Sequence, residues 1–588
     1  MKKNMLWAIV ASAVALSATP ILAQDAPAVP KAAATEAPRA NPPQRWMYLM
    51  TNLINPKSFD DAVALVKRSA KAGYTGIAIY DSKFAKFKFY PDHPAKLAEF
   101  RKACDEAKMD FIVGVTPMGY SDELLANDPN LAEGMPVRNA VFVVKDGKLV
   151  PDAEGVAVRN PSFEEVADGK VARWEMPPII EPDKDVKSDG AVSVRMTEDG
   201  GKTAGGRVSQ QVAVKPWHYY HVSVMAKTED YTSKDNRIQI IDGSGLVLDW
   251  QPPPIEKTMD WKRLDATFCS LDNTEVRLMI GRWDGKGGKI WYDDVKIEPG
   301  GFVNIIRRDS LPLKVASEDG KTIYEEGKDF SKVADPKLIH DPNPGYYTIW
   351  HDAPVVTIPE GSRLKEGQKV LASYHFAVSA GKPGQLNACF SEPKVYQLIE
   401  DEIRYLKDNG KPDMYFMVHD EIRLAGWDDT CAKRNMTCGQ LLADNISKCT
   451  AIIEKVDPGK PMFVWSDMFD PHHNARKTDD AGKPFVMYLA KGPGPWYGSW
   501  EGLGKQVGLI NWNGGRLPSY KNFSEAGHQQ IVSGNNPELV VKWLKEVGQL
   551  PGVVGVMYTT WTNDYGPTVE KYVEAVKAWE KESGPFKK

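Results

Sequence analysis

Residues 413–422 read DMYFMVHDEI, an apolar run followed directly by three titratable side chains, His419, Asp420 and Glu421. The apolar part predicts a buried β-strand. Burying three consecutive titratable groups is costly unless they find partners. We therefore expect this strand to end at a cleft, where the three side chains meet water or a ligand.

Strand and helix patterns alternate on both sides of this segment, as in a parallel sheet with helical crossovers. Eight strands are predicted, three before a long β-rich interruption and five after it. The count predicts an α/β fold, a (β/α)8 TIM barrel interrupted after its third strand. A further apolar stretch at 370–377 would shift the later strand numbers by one if it belonged to the barrel. The predicted strands lie within 45–50, 74–81, 109–117, 413–418, 461–467, 484–490, 506–513 and 553–561.

The interruption has a different residue pattern, because apolar and polar residues alternate there with few helix signals. Alternation with a period of two predicts antiparallel strands. We expect a β-sandwich at 151–300 and a further β-rich segment at 301–377. The barrel then occupies 45–150 and 378–588.

The N-terminus has the pattern of an export signal. Lys2 and Lys3 precede an apolar stretch, and a small-residue cleavage site ends at Ala23. A signal peptide is expected at 1–23, followed by a disordered Pro/Ala linker at 24–44. The apolar stretch is too short to span a membrane. We expect an exported protein, periplasmic or extracellular in a bacterium, with no membrane span.

The net charge bears on nucleic-acid binding, and the cysteine spacing bears on zinc binding and disulfide formation. The formal net charge is -4 with no block of Lys or Arg, so we expect no nucleic-acid partner. The six cysteines are scattered at spacings that match zinc sites poorly. Cys431 and Cys438 are close enough in sequence to close one loop by a disulfide. For the other four, buried free thiols are an equally good expectation.

A (β/α)8 barrel builds its site at the C-terminal ends of its strands. The predicted strand ends are rich in Trp, whose faces can stack on sugar rings, and in carboxylates and amides, which can bind hydroxyls. Glycoside hydrolysis needs such a carboxylic acid to protonate the leaving oxygen. The candidates are Asp81, the turn at 116–120, His419, Asp420, Glu421, Trp465, Asp467, Trp512, Asn513, Trp561 and Asp564.

Several of these candidate residues could also have a purely structural role. The carboxylates of Asp81, Asp420 and Glu421 could simply begin helices, where acidic residues are favoured. The tryptophans could be barrel core, because large aromatic side chains are often buried. The adjacent His472 and His473 are expected to be surface polar residues rather than metal ligands.

Several segments resemble the family 20 glycoside hydrolases, the β-N-acetylhexosaminidases. Residues 384–422 match that family's Leu-Asn opening, long helix and strand ending in an Asp-Glu pair. Residues 44–50, 461–469 and 552–564 resemble its first, next and last strands. The chain departs from the family at His419, where a small residue is usual, and at 116–120, where TPMGY replaces a Pro-Gly-His turn.

The resemblance implies roles for particular residues. Glu421 becomes the general acid/base, and Asp420 orients the 2-acetamido group of the substrate. The acetamido oxygen then attacks the anomeric carbon, a retaining, substrate-assisted route without an enzyme nucleophile. The family's first-strand Arg, which grips sugar hydroxyls, corresponds to Arg45, and Tyr520 is a candidate for holding the acetamido oxygen. No cofactor is implied for catalysis.

The predicted sandwich resembles sandwich-type carbohydrate-binding modules. Residues 160–174 and 287–299 look like the first and last strands of such a module. These modules often hold a structural Ca²⁺ through an early Glu and a late Asp, which correspond to Glu164 and Asp294. Carboxylate oxygens are the hard ligands that Ca²⁺ requires.

Together these features predict a secreted, β-N-acetylhexosaminidase-like glycoside hydrolase whose partner is an oligosaccharide or polysaccharide. Two alternatives stay open. One is a glycosidase for a sugar without an N-acetyl group, with Asp467, Glu501 or Asp564 as a second carboxylate. The other is a secreted glycan-binding protein without catalytic activity.

Overall fold

The computed structural model describes residues 41, 43–115, 118–153, 155–197, 205–284, 287–381, 385–563 and 565–586. The expected signal peptide, nearly all of the expected linker, and the candidates Thr116, Pro117 and Asp564 lie outside these ranges. Within them, no helix combines the length and apolar character that crossing a membrane requires.

Eight parallel strands form a closed barrel, numbered here β1 to β8 in chain order. Each strand pairs with the next, and β8 closes the barrel on β1. The expected TIM-like barrel is therefore present. Its strands are β1 (Gln44–Thr51), β2 (Gly76–Asp81), β3 (Asp110–Val115), β4 (Met414–Met417), β5 (Met462–Trp465), β6 (Val507–Asn511), β7 (Gln530–Gly534) and β8 (Val553–Tyr558).

Seven longer helices cover the outside of this barrel. Local sequence explains several of their ends: Asn55 accepts a hydrogen bond from the backbone N–H of Ser58 before the first helix, and Thr437 with Gln440 forms a capping box before the fourth. Such caps each contribute about 1 kcal/mol. The helices are α1 (Pro56–Ala72), α2 (His93–Glu106), α3 (Pro393–Gly410), α4 (Cys438–Val456), α5 (Leu517–Glu525), α6 (Pro537–Val547) and α7 (Thr568–Ser583).

Side chains of alternate strand residues fill the barrel interior. Trp46, Phe416, Phe463 and Trp465 are almost completely buried there in one apolar cluster. The intervening residues of each strand point outward and pack against the helices in a second, larger cluster. This alternation fixes which residues at each strand end face the axis of the barrel.

The chain leaves the barrel after β3 and returns before α3. Between these points, two antiparallel sheets share one apolar core. The four-stranded sheet contains Gly206–Ala213, Glu275–Arg282, Asn236–Ile241 and Val247–Gln251. The five-stranded sheet contains Met259–Cys269, Tyr219–Glu229, Lys289–Pro299, Ser193–Met196 and Ile180–Asp183.

A third antiparallel sheet joins residues from both ends of the insertion. Its central pair is Met135–Lys145 with Lys369–Phe376, so the apolar stretch at 370–377 is not a barrel strand. The β-rich part thus begins before the expected boundary at 151. The other strands are Lys148–Pro151, Ile305–Ile306, Lys314–Ser317 and Ile323–Tyr324.

One predicted barrel strand is wrong. In the stretch 484–490, only Leu489–Ala490 forms a strand, and it pairs with Leu424–Ala425 outside the barrel. Its place is taken by β7, whose polar Gln530 hides the strand pattern. Gln530 is nonetheless fully buried, because its side-chain amide donates to the carbonyl of Tyr520 and the hydroxyl of Ser524.

Candidate functional site

The three titratable residues after β4 point in different directions. Phe416 and Val418 face the barrel interior, and by alternation Asp420 follows them inward while His419 points outward. The His419 Nε2 lies 2.9 Å from the Asn445 Oδ1 on α4. Burial lowers the pKa of His419 to about 4, so the ring is neutral at physiological pH. His419 is therefore part of the helix packing and does not face the candidate site.

The alternation ends at Glu421 because its backbone turns. Glu421 has a φ of 48°, in the left-handed region that non-glycine residues rarely adopt. The Oδ2 of Asp467, after β5, accepts a hydrogen bond of 3.0 Å from the backbone N–H of Glu421. Strained backbone of this kind is concentrated at functional sites.

The turn after β3 packs directly against this strained segment. A Cβ atom on Gly119 would lie 2.0 Å from the carbonyl oxygen of Asp420. No other residue fits at position 119 without moving the backbone of one of the two turns. The close approach brings Tyr120 to the carboxylate of Glu421.

One oxygen of the Glu421 carboxylate carries all of the hydrogen bonds that this carboxylate makes to the described residues. The Tyr120 hydroxyl donates to Oε2 at 2.5 Å, and the Gln385 amide donates to it at 3.3 Å. The Arg423 Nη2 lies 3.2 Å from the same oxygen. The side chain is 28% exposed, so the carboxylate is anchored through Oε2 while part of it reaches solvent.

Asp420 offers a buried carboxyl oxygen to the site. The residue is only 7% exposed, and its Oδ1 has no hydrogen-bond partner among the described residues. Burial raises the pKa of Asp420 well above its ordinary range, and the negative charges of Asp467 and Glu421 raise it further. A buried polar atom without a partner is costly unless a ligand supplies one.

Asp467 completes a group of three acidic side chains. It is fully buried, and its Oδ2 also accepts a 3.0 Å hydrogen bond from the Asn474 amide. Its Oδ1, like that of Asp420, has no partner within the described ranges. Burial raises the pKa of Asp467 to about 6, and the Glu421 charge acts in the same direction.

Aromatic rings gather at this end of the barrel. Trp465 is completely buried, with ring centroids 5.6 Å from Trp561 and 6.3 Å from Trp512. Tyr48 lies 5.8 Å from Trp465 and 5.7 Å from Trp561. Trp561 is 48% exposed. The cluster therefore runs from the barrel core at Trp465 to a solvent-facing indole at Trp561.

Two other strand-end candidates have structural partners. Asp81 is fully buried, and its Oδ2 accepts a 2.7 Å hydrogen bond from the backbone N–H of Leu53. Burial alone would raise the pKa of Asp81, but the hydrogen bond with His93 and the charge of Lys83 lower it overall. The Asn513 amide donates to Asp470 at 3.1 Å and to Ser519 at 2.9 Å. These contacts hold loops together beside the site.

Arg45 lies at the other end of the barrel. It stands at the start of β1, whereas the candidate site is at the strand ends. Its Nη2 is 2.6 Å from the Oε2 of Glu580 on α7. The structure therefore does not bring Arg45 to Glu421, and its observed partner is structural. Tyr520 is likewise fully buried, with its hydroxyl donating to the Asn511 carbonyl.

Two residues at the site, Gln385 and Arg423, were not predicted from the sequence. Gln385 lies 36 residues before Glu421 and comes from the segment that re-enters the barrel. Arg423 is buried, with its guanidinium 4.4 Å from the ring centre of Tyr488. Its position two residues after the Asp-Glu pair was the available signal. Glu501, an alternative carboxylate, is exposed on the short helix Ser499–Gly502.

The predicted calcium ligands each have a protein partner. Glu164 Oε1 accepts hydrogen bonds from the backbone N–H groups of Ala191 and Val192, at 2.8 and 3.0 Å. Asp294 Oδ2 lies 2.6 Å from the Lys296 ammonium. Calcium binding in the insertion stays a prediction.

All six cysteines are buried and free. Cys438 does not pair with Cys431; its thiol lies 3.4 Å from the carbonyl oxygens of Ala425 and Lys491. Cys431 instead lies beside Cys389, with 3.5 Å between the two sulfurs.

No protein-family model matches the sequence, and no curated protein matches it. Partial similarities exist among solved structures. The enzymatically active domain of bacteriophage CBA120 tailspike protein 4 is 14% identical, with a TM-score of 0.21 over 27% of this chain and 23% of that chain. TmCBM61 in complex with β-1,4-galactotriose is 17% identical, with a TM-score of 0.19 over 24% of this chain and 97% of that one. The CBM22-1 xylan-binding domain of Paenibacillus barcinonensis Xyn10C is 16% identical, with a TM-score of 0.20 over 26% and 97%.

Proposed function

We propose that this protein is a glycoside hydrolase in which Glu421 is the general acid/base. The observation that carries the proposal is the placement of Glu421 at the C-terminal end of β4. There its carboxylate is anchored through Oε2 and partly exposed, beside two buried aspartates that each have an oxygen without a partner among the described residues. The C-terminal ends of barrel strands are where enzymes of this architecture carry out their chemistry.

Glycoside cleavage needs a proton at the departing oxygen as the bond to the anomeric carbon breaks. Tyr120, Gln385 and Arg423 hold Oε2 of Glu421, which leaves Oε1 to give this proton to the leaving group and later to take one from water. Fixing a carboxylate through one oxygen restricts its rotation, so the other oxygen keeps its direction. Positioned proton transfer of this kind contributes about 10²- to 10⁴-fold in rate.

The more specific proposal is a β-N-acetylhexosaminidase-like, retaining enzyme. Asp420 is adjacent to Glu421 and presents a buried Oδ1 that no described residue contacts by a hydrogen bond. That oxygen can accept the N–H of a 2-acetamido group and so direct the acetamido oxygen at the anomeric carbon. A substrate N–H would then relieve a polar group that is otherwise unsatisfied.

Asp467 supports a second candidate, a glycosidase for sugars without an N-acetyl group. Its Oδ2 accepts from the backbone N–H of Glu421, and its Oδ1 has no hydrogen-bond partner in the part of the chain that the structure describes. A second carboxylate in this position could serve as nucleophile or as base for water. The two candidates differ in what the substrate must carry: only the first requires the acetamido group.

The test is hydrolysis of a panel of aryl β-glycosides by the wild-type chain and by Glu421→Gln. We expect turnover of N-acetylglucosaminide or N-acetylgalactosaminide, and a loss of about 10³-fold in kcat/KM in the variant. Glu525→Gln, an exposed glutamate at the end of α5, is the matched control and should keep full activity. Preference for sugars without the acetamido group would favour the second candidate. Glycan binding without turnover of any substrate would refute the enzyme proposal.

We further propose that the insertion binds glycan and that the chain is exported. The resemblance of residues 160–174 and 287–299 to carbohydrate-binding modules and the N-terminal signal pattern support these proposals. Affinity electrophoresis through soluble polysaccharides tests the first, with wild type against a chain lacking 151–300. Cell fractionation with N-terminal sequencing tests the second, and a mature chain beginning at Gln24 is the expected result.

A further inference from the structure

A second buried cluster of ligand-type side chains lies apart from Glu421. It consists of Glu133, Cys389, Asp428 and Cys431, each completely or almost completely buried. One oxygen or sulfur atom from each of the four lies within 4.8 Å of the others. The Cys431 sulfur is 3.5 Å from the Cys389 sulfur and 3.3 Å from Glu133 Oε2.

The two distances from the Cys431 sulfur fit the edges of a tetrahedron around a zinc ion. Zinc bonds to sulfur are about 2.3 Å and to carboxylate oxygen about 2.0–2.2 Å, so neighbouring ligand atoms lie roughly 3.3–3.8 Å apart. Both contacts of Cys431 are within this range or at its edge. Two thiolates and two carboxylates make four ligands, the number that a structural zinc site uses.

The carboxylates are oriented by hydrogen bonds from behind. Glu133 Oε1 accepts from the backbone N–H groups of Trp427 and Asp428, at 2.7 and 3.2 Å, which leaves Oε2 facing Cys431. Asp428 Oδ1 accepts from the backbone N–H of Cys431 at 2.8 Å. Metal ligands typically have such outer partners, which fix their direction.

A buried cation already balances part of the charge. Arg308 Nη2 lies 2.6 Å from Asp428 Oδ2, and its Nε lies 3.0 Å from Glu392. Two thiolates and two carboxylates would carry four negative charges, which is more than one guanidinium can neutralise. A divalent ion at the centre would offset the two charges that the thiols acquire when they lose their protons, so metal binding would leave the net charge of the buried cluster unchanged.

We propose that Glu133, Cys389, Asp428 and Cys431 bind a zinc-type divalent metal ion in a closed structural site. Binding displaces the two thiol protons to solvent, and no redox change is involved. The site connects three segments: Glu133 lies where the chain leaves the barrel, Cys389 where it returns, and Asp428 with Cys431 in the loop after β4. The returning segment also carries Gln385 and the β4 loop also carries Arg423, so the ion would hold two anchors of Glu421 in place. The proposal does not depend on which reaction the protein catalyses.

The test uses the full chain, purified without chelator and analysed for metal by mass spectrometry. We expect about one zinc per chain, and the cobalt-substituted protein should show thiolate-to-cobalt charge-transfer absorption. Cys389→Ser and Cys431→Ser should each weaken Zn²⁺ binding at least tenfold. Cys104→Ser, which removes another fully buried thiol on α2, is the matched control and should bind normally.

Three results would overturn the proposal. The first is wild-type protein that neither contains nor takes up Zn²⁺ or Co²⁺. The second is binding that survives both cysteine substitutions, because the ion would then lie elsewhere. The third is a count of four free thiols, in place of six, when metal-free protein is denatured without a reductant. In that case Cys389 and Cys431 would have been oxidised to a disulfide, with two electrons passing to a cellular disulfide. The cobalt spectrum of the wild type keeps the test decisive even if the serine variants fail to fold.

Discussion

Two clusters of acidic and ligand-type side chains follow the barrel strands and the insertion, and their side chains are arranged in opposite ways. In the site cluster, defined as Asp420, Glu421 and Asp467, two carboxyl oxygens have no partner within the described ranges and one side chain is 28% exposed. In the junction cluster, defined as Glu133, Cys389, Asp428 and Cys431, the ligand atoms face one another and are sealed from solvent. The first arrangement suits a substrate that comes and goes, and the second suits a permanent occupant.

The backbone conformation also differs between the two clusters. Glu421 is held at a φ of 48°, a conformation that costs energy and needs support from its neighbours. Asp428 caps the short helix Asp429–Ala432, which is an ordinary and favourable role for an aspartate. Strain therefore accompanies the cluster proposed for chemistry, while regular local structure accompanies the cluster proposed for stability.

The largest expected effect that separates the clusters comes from Asp420→Asn. The amide keeps the shape but weakens the acceptor offered to a substrate N–H, so kcat/KM on an N-acetylated aryl glycoside should fall about 10²-fold. The free energy of unfolding should not fall, because Oδ1 has no hydrogen-bond partner to lose among the described residues and the amide places no charge beside Asp467 and Glu421. Steady-state kinetics and thermal unfolding of the same preparation give both values.

Asp428→Asn is the matched variant in the junction cluster. It removes the charge opposite the buried Arg308, which should lower the free energy of unfolding by about 3 kcal/mol, with a smaller effect on kcat/KM than Asp420→Asn. If Asp420→Asn unfolded the chain while Asp428→Asn abolished turnover, the two roles would be reversed.

The next effect is a pH dependence that comes from Asp467. Its pKa is raised to about 6 in the folded chain, against about 3.9 when unfolded. The folded state thus binds this proton more tightly, and the stabilisation is complete below pH 4 and is lost as the pH rises through 6. We expect the free energy of unfolding of the wild type, relative to Asp467→Asn, to fall by about 2 kcal/mol between pH 4 and pH 7. Parallel stability curves for the two proteins would show that Asp467 does not titrate in this range.

The smallest effect is expected at the solvent-facing edge of the site. Trp561→Ala removes a half-exposed ring that touches Tyr48 and Trp465. Loss of a stacking surface of this kind should weaken substrate binding about tenfold, or ~1.4 kcal/mol, and should raise KM more than it lowers kcat. Substitution of a ring that only packs the core would leave KM unchanged and lower the unfolding temperature.

The barrel could be predicted from the sequence where its signals are local. The apolar strands and amphipathic helices predicted seven of the eight barrel strands and the point of interruption, and β4 was predicted to end beside Asp420 and Glu421. The strand β7 could not be recognised, because Gln530 becomes acceptable in a strand only through partners on α5. A pattern within one segment contains no information about such partners.

The carboxylates of the site could be predicted from the sequence, but the residues that hydrogen-bond to them could not. Asp420, Glu421 and Asp467 follow strands directly, so their convergence follows from the parallel barrel. Gln385 reaches Glu421 from beyond the inserted β-modules, and that contact depends on where the chain re-enters the barrel. His419 was placed in the site because it precedes the pair, but strand alternation turns it outward toward Asn445.

The central claim is that Glu421 gives a proton to the leaving oxygen, and the dependence of rate on the leaving group tests it most directly. Wild type and Glu421→Gln are compared on β-N-acetylglucosaminides whose aglycones range from a poor alkyl to a good dinitrophenyl leaving group. Because a good leaving group needs little protonation, the variant should lose about 10³-fold on the alkyl glycoside and much less on the dinitrophenyl glycoside. An equal loss on every aglycone would contradict the assignment of Glu421 as the general acid.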